Sequence, residues 1–249
     1  QIERLRDLRP SVLWIYPSLL RMLLDRLDGR LSQLVRPRMM VTAAEVLDDL
    51  LRRDVARDLG IEPYNFYGCI EIGRIAAECP SRAGLHINAD LTIVECLDEN
   101  GAASAGAGGA VAITSLESRS MPFIRYRLGD RAEFIDSPCS CGCALPLMRP
   151  PLGRDWDMLR LASGRLRPAL GIGGCLLEAS ALRQYRIVRH RPDHLTLELD
   201  FAEPPPPALL DRLRTRVLDY LGEPVQIDIA KVRFPAGDSS KYRVVIHRH

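Results

Sequence analysis

Cys79 and His86 share one short stretch of this chain, and a second stretch, Cys139-Ser140-Cys141-Gly142-Cys143, follows much later. Two thiolates one residue apart in a tight turn can face a single ion, and a distant Cys/His pair can complete a tetrahedron around it. This is not the Cys-x-x-Cys knuckle, so spacing alone leaves buried, unligated cysteines as the alternative. Lysine is informative by its scarcity. Lys231 and Lys241 are the only two against an arginine-rich background. A lysine kept in such a setting is one whose compact ammonium a planar guanidinium cannot replace. Two acids stand beside glycine turns: Glu71 in Tyr67-Gly68-Cys69-Ile70-Glu71, and Asp130 in Tyr126-Arg127-Leu128-Gly129-Asp130. Taken alone, the first reads as a strand end with a turn and the second as a solvated hairpin acid.

The elements that must position these residues fall into three groups. Ser11–Tyr16, Arg38–Ala43 and Tyr64–Tyr67 are short apolar runs. A helix opening at Pro17 with the stripe Leu19, Leu20, Leu23, Leu24, Leu27 lies between the first two, and a helix over Asp48–Leu59, stopped by Gly60, precedes the third. That βαβαβ grammar predicts a largely parallel sheet covered by helices. From Leu91 the pattern shortens to Leu91–Leu97, Ala110–Leu116, Phe123–Leu128 and Arg131–Ile135, which predicts a small antiparallel sheet or barrel. Gly101–Gly109 lies between strands and opens no helix, so it is a hairpin loop and not a phosphate cradle. After Gly153-Arg154 a smaller unit is expected. It would hold a hairpin at Ser163-Gly164, a helix over Leu176–Leu182, a hairpin over Tyr185–Phe201, a helix over Ala208–Leu221, and strands over Val225–Val232 and Tyr242–His247.

Together with Gly153-Arg154 and Lys241, these turns and pairs resemble the adenylate-forming superfamily. Within it the match is to the phenylacetate–CoA ligase family, including its relatives that adenylate a deazaflavin coenzyme. The resemblance runs essentially from end to end but covers only the later part of such an enzyme. No Ser/Thr/Gly-rich phosphate loop of the family's type occurs, and the chain opens on Gln1. The expectation is a fragment, inactive by itself. It implies an α/β fold: residues 1–152 as the C-terminal part of the large AMP-binding domain, a parallel sheet with helices plus a small antiparallel sheet or barrel. Residues 153–249 would be a small, mobile α+β C-terminal domain.

The resemblance also implies roles. Tyr67 and Gly68 match the turn beside adenine, and Glu71 the acid that supports Mg²⁺ at the phosphates of ATP. Asp130 matches the acid that grips the ribose hydroxyls, and Arg154 a residue that reaches the nucleotide. Lys241 matches the lysine that bridges the acid and the α-phosphate during adenylation. Glu45 matches a Gly–Glu position beside the nucleotide, with Ala44 in place of the glycine. Trp156 and Asp157 occupy the hinge, where the family has two adjacent acids. Ile70 stands where it has Ser or Thr, and Ser240 where it has Gly. Relatives carry a Cys–His pair and a Cys-x-Cys-Gly at matching places, some with zinc. That implies structural Zn²⁺ on Cys79, His86, Cys139 and Cys141, with Cys143 in reserve. Cys69, Cys96 and Cys175 are read as buried and unligated, and His190, His194, His247 and His249 as surface residues.

Composition narrows the rest. A chain of 249 residues with 47% hydrophobic and 27% charged residues is an ordinary globular sequence. A net charge of +2, without basic–aromatic interleaving, argues against nucleic acid as a partner. The longest uncharged runs are too short or too glycine-rich to span a bilayer. Seven cysteines, an odd count, point to a reducing cytoplasm. The function expected is ATP-dependent activation of an aryl or arylalkyl acid to an acyl adenylate, followed by thioester formation with CoA. The alternative is a catalytically degenerate, zinc-stabilised pseudoenzyme serving as a binding domain. Expected partners are the small carboxylic acid and CoA, with homodimerisation left open.

Overall fold

Pro17 has no amide hydrogen to leave unsatisfied, and its ring holds a helical φ. α2 (Pro17–Arg26) therefore starts two residues after β1 (Val12–Ile15), itself preceded by α1 (Ile2–Leu8). β2 (Met39–Ala43) leads to α3 (Asp49–Leu59), whose first turn is capped by the Asp48 carboxylate accepting the Leu51 amide at 2.8 Å. The helix ends at Gly60, in the left-handed region at φ 68°. β3 (Tyr64–Cys69) completes the βαβαβ unit, and β1–β2 and β2–β3 pair in parallel, as the sequence predicts. The computed structural model describes residues 2–104, 108–151, 153–154, 157–234 and 244–247.

Beyond β3 the sheet changes direction. The chain continues through β4 (Gly73–Glu78), β5 (Leu85–Ile87), β6 (Thr92–Leu97), β7 (Gly109–Ser115), β8 (Tyr126–Ala132), β9 (Phe134–Ile135) and β10 (Leu147–Met148). Seven of these strands form one sheet in the order β1-β2-β3-β4-β5-β10-β9, antiparallel from β4 onward, while β6-β7-β8 form a second, antiparallel sheet. The runs expected at Phe123–Leu128 and Arg131–Ile135 are divided differently. β8 joins the end of the first to the start of the second and β9 crosses to the large sheet, so a strand that alternation reads as one unit serves two sheets. One face of β1 and β2 is covered by α2 and α3 through Leu13, Leu20, Leu24, Met40, Leu51 and Val55. On the other face Val12, Trp14 and Met39 are exposed.

The last part of the chain folds around a core that also takes in Leu50 of α3. β11 (Met158–Arg160) and β12 (Leu166–Pro168) make a hairpin, followed by α4 (Gly171–Cys175). β13 (Leu182–Arg191), β14 (His194–Phe201), α5 (Pro207–Leu221), β15 (Gln226–Lys231) and β16 (Val245–His247) follow, with sheet order β15-β14-β13-β16. The helix expected over Leu176–Leu182 is displaced to α4, and Leu182 opens β13 instead. The physical reason is close approach. A Cβ on Gly171 would lie 2.1 Å from the Tyr220 hydroxyl, and one on Gly173 2.7 Å from that of Tyr185. Packing room, not helix propensity, selects glycine there. No helix among the described residues is long and apolar enough to cross a membrane.

The later unit is docked on the earlier one by a conspicuous set of bonds. Leu50 of α3 is fully buried in the core formed by Leu159, Ile172, Leu197 and Val217. Around it, Arg53 donates to the carbonyl oxygens of Ala179 (3.0 Å) and Leu182 (2.8 Å), Arg57 to that of Ser180 (3.5 Å), and Arg21 to that of Arg183. Each guanidinium is braced by an acid on its own side: Arg21 by Asp48, and Arg53 and Arg57 by Asp54. Arg53→Ala leaves two carbonyls without that donor. It is expected to cost about 1–3 kcal/mol in urea unfolding and to speed hydrogen exchange over residues 177–183.

Candidate functional site

The β3–β4 hairpin and the end of β8 bring the expected nucleotide residues together. Tyr67 on β3 donates its hydroxyl to Oδ2 of Asp130 at 2.8 Å. Nε of Arg154 lies 3.5 Å from Oδ1 of the same carboxylate. The backbone fixes that encounter, because Asp130 and Arg154 form a β-bridge and the Arg131 amide donates to Gly153 O at 3.0 Å. Burial, then the Asp130 charge and hydrogen bond, push the Tyr67 phenol well above its ordinary pKa, so it stays a neutral donor. Gly68 is needed where β3 meets β4, since a Cβ there would sit 2.3 Å from Gly73 O. Glu71 lies in the hairpin turn, exposed, and accepts from the Tyr126 hydroxyl at 3.2 Å. Its own backbone amide is the main cause of a lowered pKa, so it is ionised and open to solvent. Ile70 beside it is fully exposed.

A second constellation forms at the far end of the same strands. Single donor atoms of Cys79, His86, Cys139 and Cys141 all lie within 4.8 Å of one another. Cys79 Sγ is 3.6 Å from Cys139 Sγ, and Cys141 Sγ is 3.3 Å from His86 Nε2. A tetrahedral zinc with bonds of about 2.3 Å to sulfur and 2.0 Å to nitrogen would place such pairs roughly 3.5–3.8 Å apart, so the donor set fits the ion. Nδ1 of His86 lies 3.2 Å from Leu145 O, and a proton donated there leaves the Nε2 lone pair for a metal. Burial raises the Cys79 thiol, but hydrogen bonds with Cys139 and His86 outweigh it and bring it down to about 6. The Cys143 amide pulls the Cys141 thiol down, but hydrogen bonds with Cys139 and Cys79, together with burial, outweigh it and hold it at about 11. The Cys79 loop is fixed from behind by Glu78, which is almost fully buried. Its carboxylate accepts from the Asn65 amide (2.8 Å), Arg52 (2.8 Å) and Arg82 (3.2 Å).

Comparisons with known proteins bear on what such a chain is. No family model matches it. It is 29% identical over 214 residues to the phenylacetate-coenzyme A ligase of Thermus thermophilus, an overlap of 82% of this chain and 48% of that protein. It is 30% identical over 168 residues to the phenylacetate-coenzyme A ligase of Pseudomonas putida, covering 64% of this chain and 37% of that one. The chain is similar in sequence to phenylacetate–CoA ligases. Its fold is that of the adenylate-forming ligases. It superposes on the crystal structure of 2-hydroxyisobutyryl-CoA ligase in the postadenylation state, in complex with 2-HIB-AMP, with a TM-score of 0.80 at 22% identity, covering 99% of this chain and 56% of that one. The same ligase in its thioesterification state gives 0.53 at 21% identity, covering 99% and 56%. The chain thus spans about half the length, or less, of the curated ligases it matches.

Other expected residues have contacts of their own. Glu45 is engaged at the start of α2, where its carboxylate accepts the Ser18 amide at 2.8 Å and hydroxyl at 2.9 Å. Ala44, in the place of the family's glycine, has φ 67°. An L-residue in that region costs about 1 kcal/mol, so Ala44→Gly is expected to raise the melting temperature by a few degrees in a thermal scan. Asp157 folds back on Arg154: its Oδ2 accepts the Arg154 amide at 3.0 Å, and its own amide donates to Arg154 O at 2.8 Å. Trp156 and Lys241 lie outside the described residues, as does Leu152 at the expected domain boundary.

One feature escapes sequence reading. A cavity of about 380 Å³ opens between β1, β3, β4 and the β6–β7 sheet, with Trp14, Phe66, Ile72, Arg74, Leu91 and Thr92 in its wall. The Trp14 and Phe66 rings meet edge to face at 4.8 Å. These residues come from four strands and the turns beside them, and only the folded sheet brings them together.

Proposed function

We propose that this chain is the later part of an ATP-dependent ligase. The ligase would activate an aryl or arylalkyl acid as its acyl adenylate and then pass the acyl group to CoA. The observation that carries the reading is the Asp130 carboxylate, held by the Tyr67 hydroxyl and faced by Arg154, one turn away from the ionised Glu71. A carboxylate can accept from two hydroxyls at once, which is the chemistry that holding a ribose requires. In adenylation a carboxylate oxygen of the acid forms a bond to the α-phosphorus as the bond to pyrophosphate breaks. The thiol of CoA then displaces AMP. Two anions must approach in the first step, so fixed cations lower the barrier. Arg154 is one, and we assign Lys241 as the other.

Glu71 is the group we assign to Mg²⁺, which would neutralise the phosphate oxygens. We assign Cys79, His86, Cys139 and Cys141 to a zinc ion. With four protein ligands it would act as a clamp between the β4–β5 loop and the segment before β10, not as a catalyst. The aromatic cavity is the seat assigned to the acid. Units 1–152 and 153–249 are taken as the large-domain part and the small domain, with Trp156 and Asp157 at the hinge. The binding-domain alternative draws no support from the relatives, which are ligases by name.

The test is acid-dependent exchange of pyrophosphate into ATP, on the chain extended to the full length of its relatives, with a panel of aryl and aliphatic acids. Exchange that needs an aryl acid and is lost in Lys241→Ala supports the reading. A folded protein with no exchange from any acid sinks it.

A further inference from the structure

The aromatic cavity holds a charge that the assigned machinery does not use. Arg74 lines it, and among the described residues no carboxylate lies within ion-pair distance of that guanidinium. Thr92, 1% exposed, lines it too, and its hydroxyl has no hydrogen-bond partner among the described residues. A buried hydroxyl left in that state costs free energy unless a ligand or water completes it. The cavity also has a direction. Arg74 pairs in register with Gly68 and lies three residues past Glu71, at the end nearest the turn assigned to the nucleotide. Trp14 belongs to β1, two strands beyond β3 in the sheet, and meets Phe66 on the side away from that turn. One end is therefore cationic and the other aromatic.

We infer that Arg74 takes the carboxylate of an aromatic monoacid, whose ring rests on Trp14 and Phe66. The inference rests on the reading given under Proposed function and names the residue that orients its substrate. A guanidinium can hold a carboxylate through two parallel hydrogen bonds, which fixes the direction of the acid as well as its affinity. The position suits the chemistry, because the carboxylate is presented toward the Glu71 turn while the ring stays away from it. Glu117, also in the cavity wall, supplies the opposite selection. A second anionic group on the acid meets like charge there, and a neutral analogue leaves Arg74 without its partner.

On the chain extended to the full length of its relatives, phenylacetate, phenylacetamide, 4-carboxyphenylacetate and AMP are each titrated by calorimetry. Phenylacetate is expected to bind about tenfold or more tighter than either analogue. Arg74→Gln should remove the preference for acid over amide, and Arg74→Lys should restore part of it. Equal binding of acid and amide by the parent protein, or a preference that survives in Arg74→Gln, overturns the assignment. If AMP still binds in that case, only the role of Arg74 falls. If neither AMP nor any acid binds, the ligase reading falls with it.

Discussion

Chain purified without chelator is expected to carry about one zinc ion, and Cys139→Ser to lose it together with a large part of the stability. Cys139 is the informative position because it is buried and its sulfur lies 3.6 Å from that of Cys79. The ion would join two chain segments that also meet through the short pairing of β5 with β10, Leu147 to His86 and Met148 to Leu85, and through the Ile87 amide donating to Pro146 O. A ligand held at a thousand times its dissociation constant stabilises the folded state by about 4 kcal/mol, and structural zinc sites commonly exceed that ratio. Dialysis against a chelator should therefore lower the melting temperature by ten degrees or more, on the order expected for that free energy. Faster hydrogen exchange should be concentrated between Cys79 and Ile87 and between Cys139 and Met148. Zinc content well below one per chain, or a melting curve indifferent to chelator, removes the clamp.

Asp130→Ala should weaken AMP binding about 100-fold in titration calorimetry. Two hydrogen bonds from ribose hydroxyls to a charged acceptor contribute about 1.5 kcal/mol each at the lower end of their range. The substitution also frees the Tyr67 hydroxyl and leaves Arg154 without its facing charge. Nucleotide chemistry separates these effects. The parent protein should bind AMP far better than its 2′- or 3′-deoxy forms, and Asp130→Ala should treat all three alike. Tyr67→Phe, which keeps the acid and removes one of its donors, should retain the discrimination with a smaller loss of affinity. A parent protein indifferent to the deoxy forms would show that Asp130 does not hold the ribose.

Much of this architecture is legible in the chain because the signals are local. Pro17, Asp48 and Gly60 mark helix ends through their own backbone chemistry, and the leucine stripe of α2 states which face is buried. Those local rules are enough for the parallel βαβαβ unit. The antiparallel extension is not written locally. β5, β9 and β10 are two or three residues long, and each exists only because a partner distant in sequence offers hydrogen bonds. α4 fails for the opposite reason: its glycines argue against a helix until Tyr220 and Tyr185 are seen pressing on it. The site divides in the same way. The Cys/His set could be read from residue types, and Asp130 with Tyr67 from the resemblance. The hydrogen bonds of Glu45 to Ser18 could not, because they depend on where β2 delivers it. Arg74 and Thr92 look like surface residues of ordinary strands until Trp14 is placed across from them.

At the junction, Arg21, Arg53 and Arg57 reach main-chain oxygens between Leu177 and Arg183. Every amino acid presents that same oxygen, so the side chains along this stretch can change through evolution without loosening the grip, provided the backbone keeps its path. The arginines and their bracing acids should then vary little among related chains while the segment they hold varies freely. Paired substitutions across this junction, the usual statistical trace of a contact, should be largely missing from it.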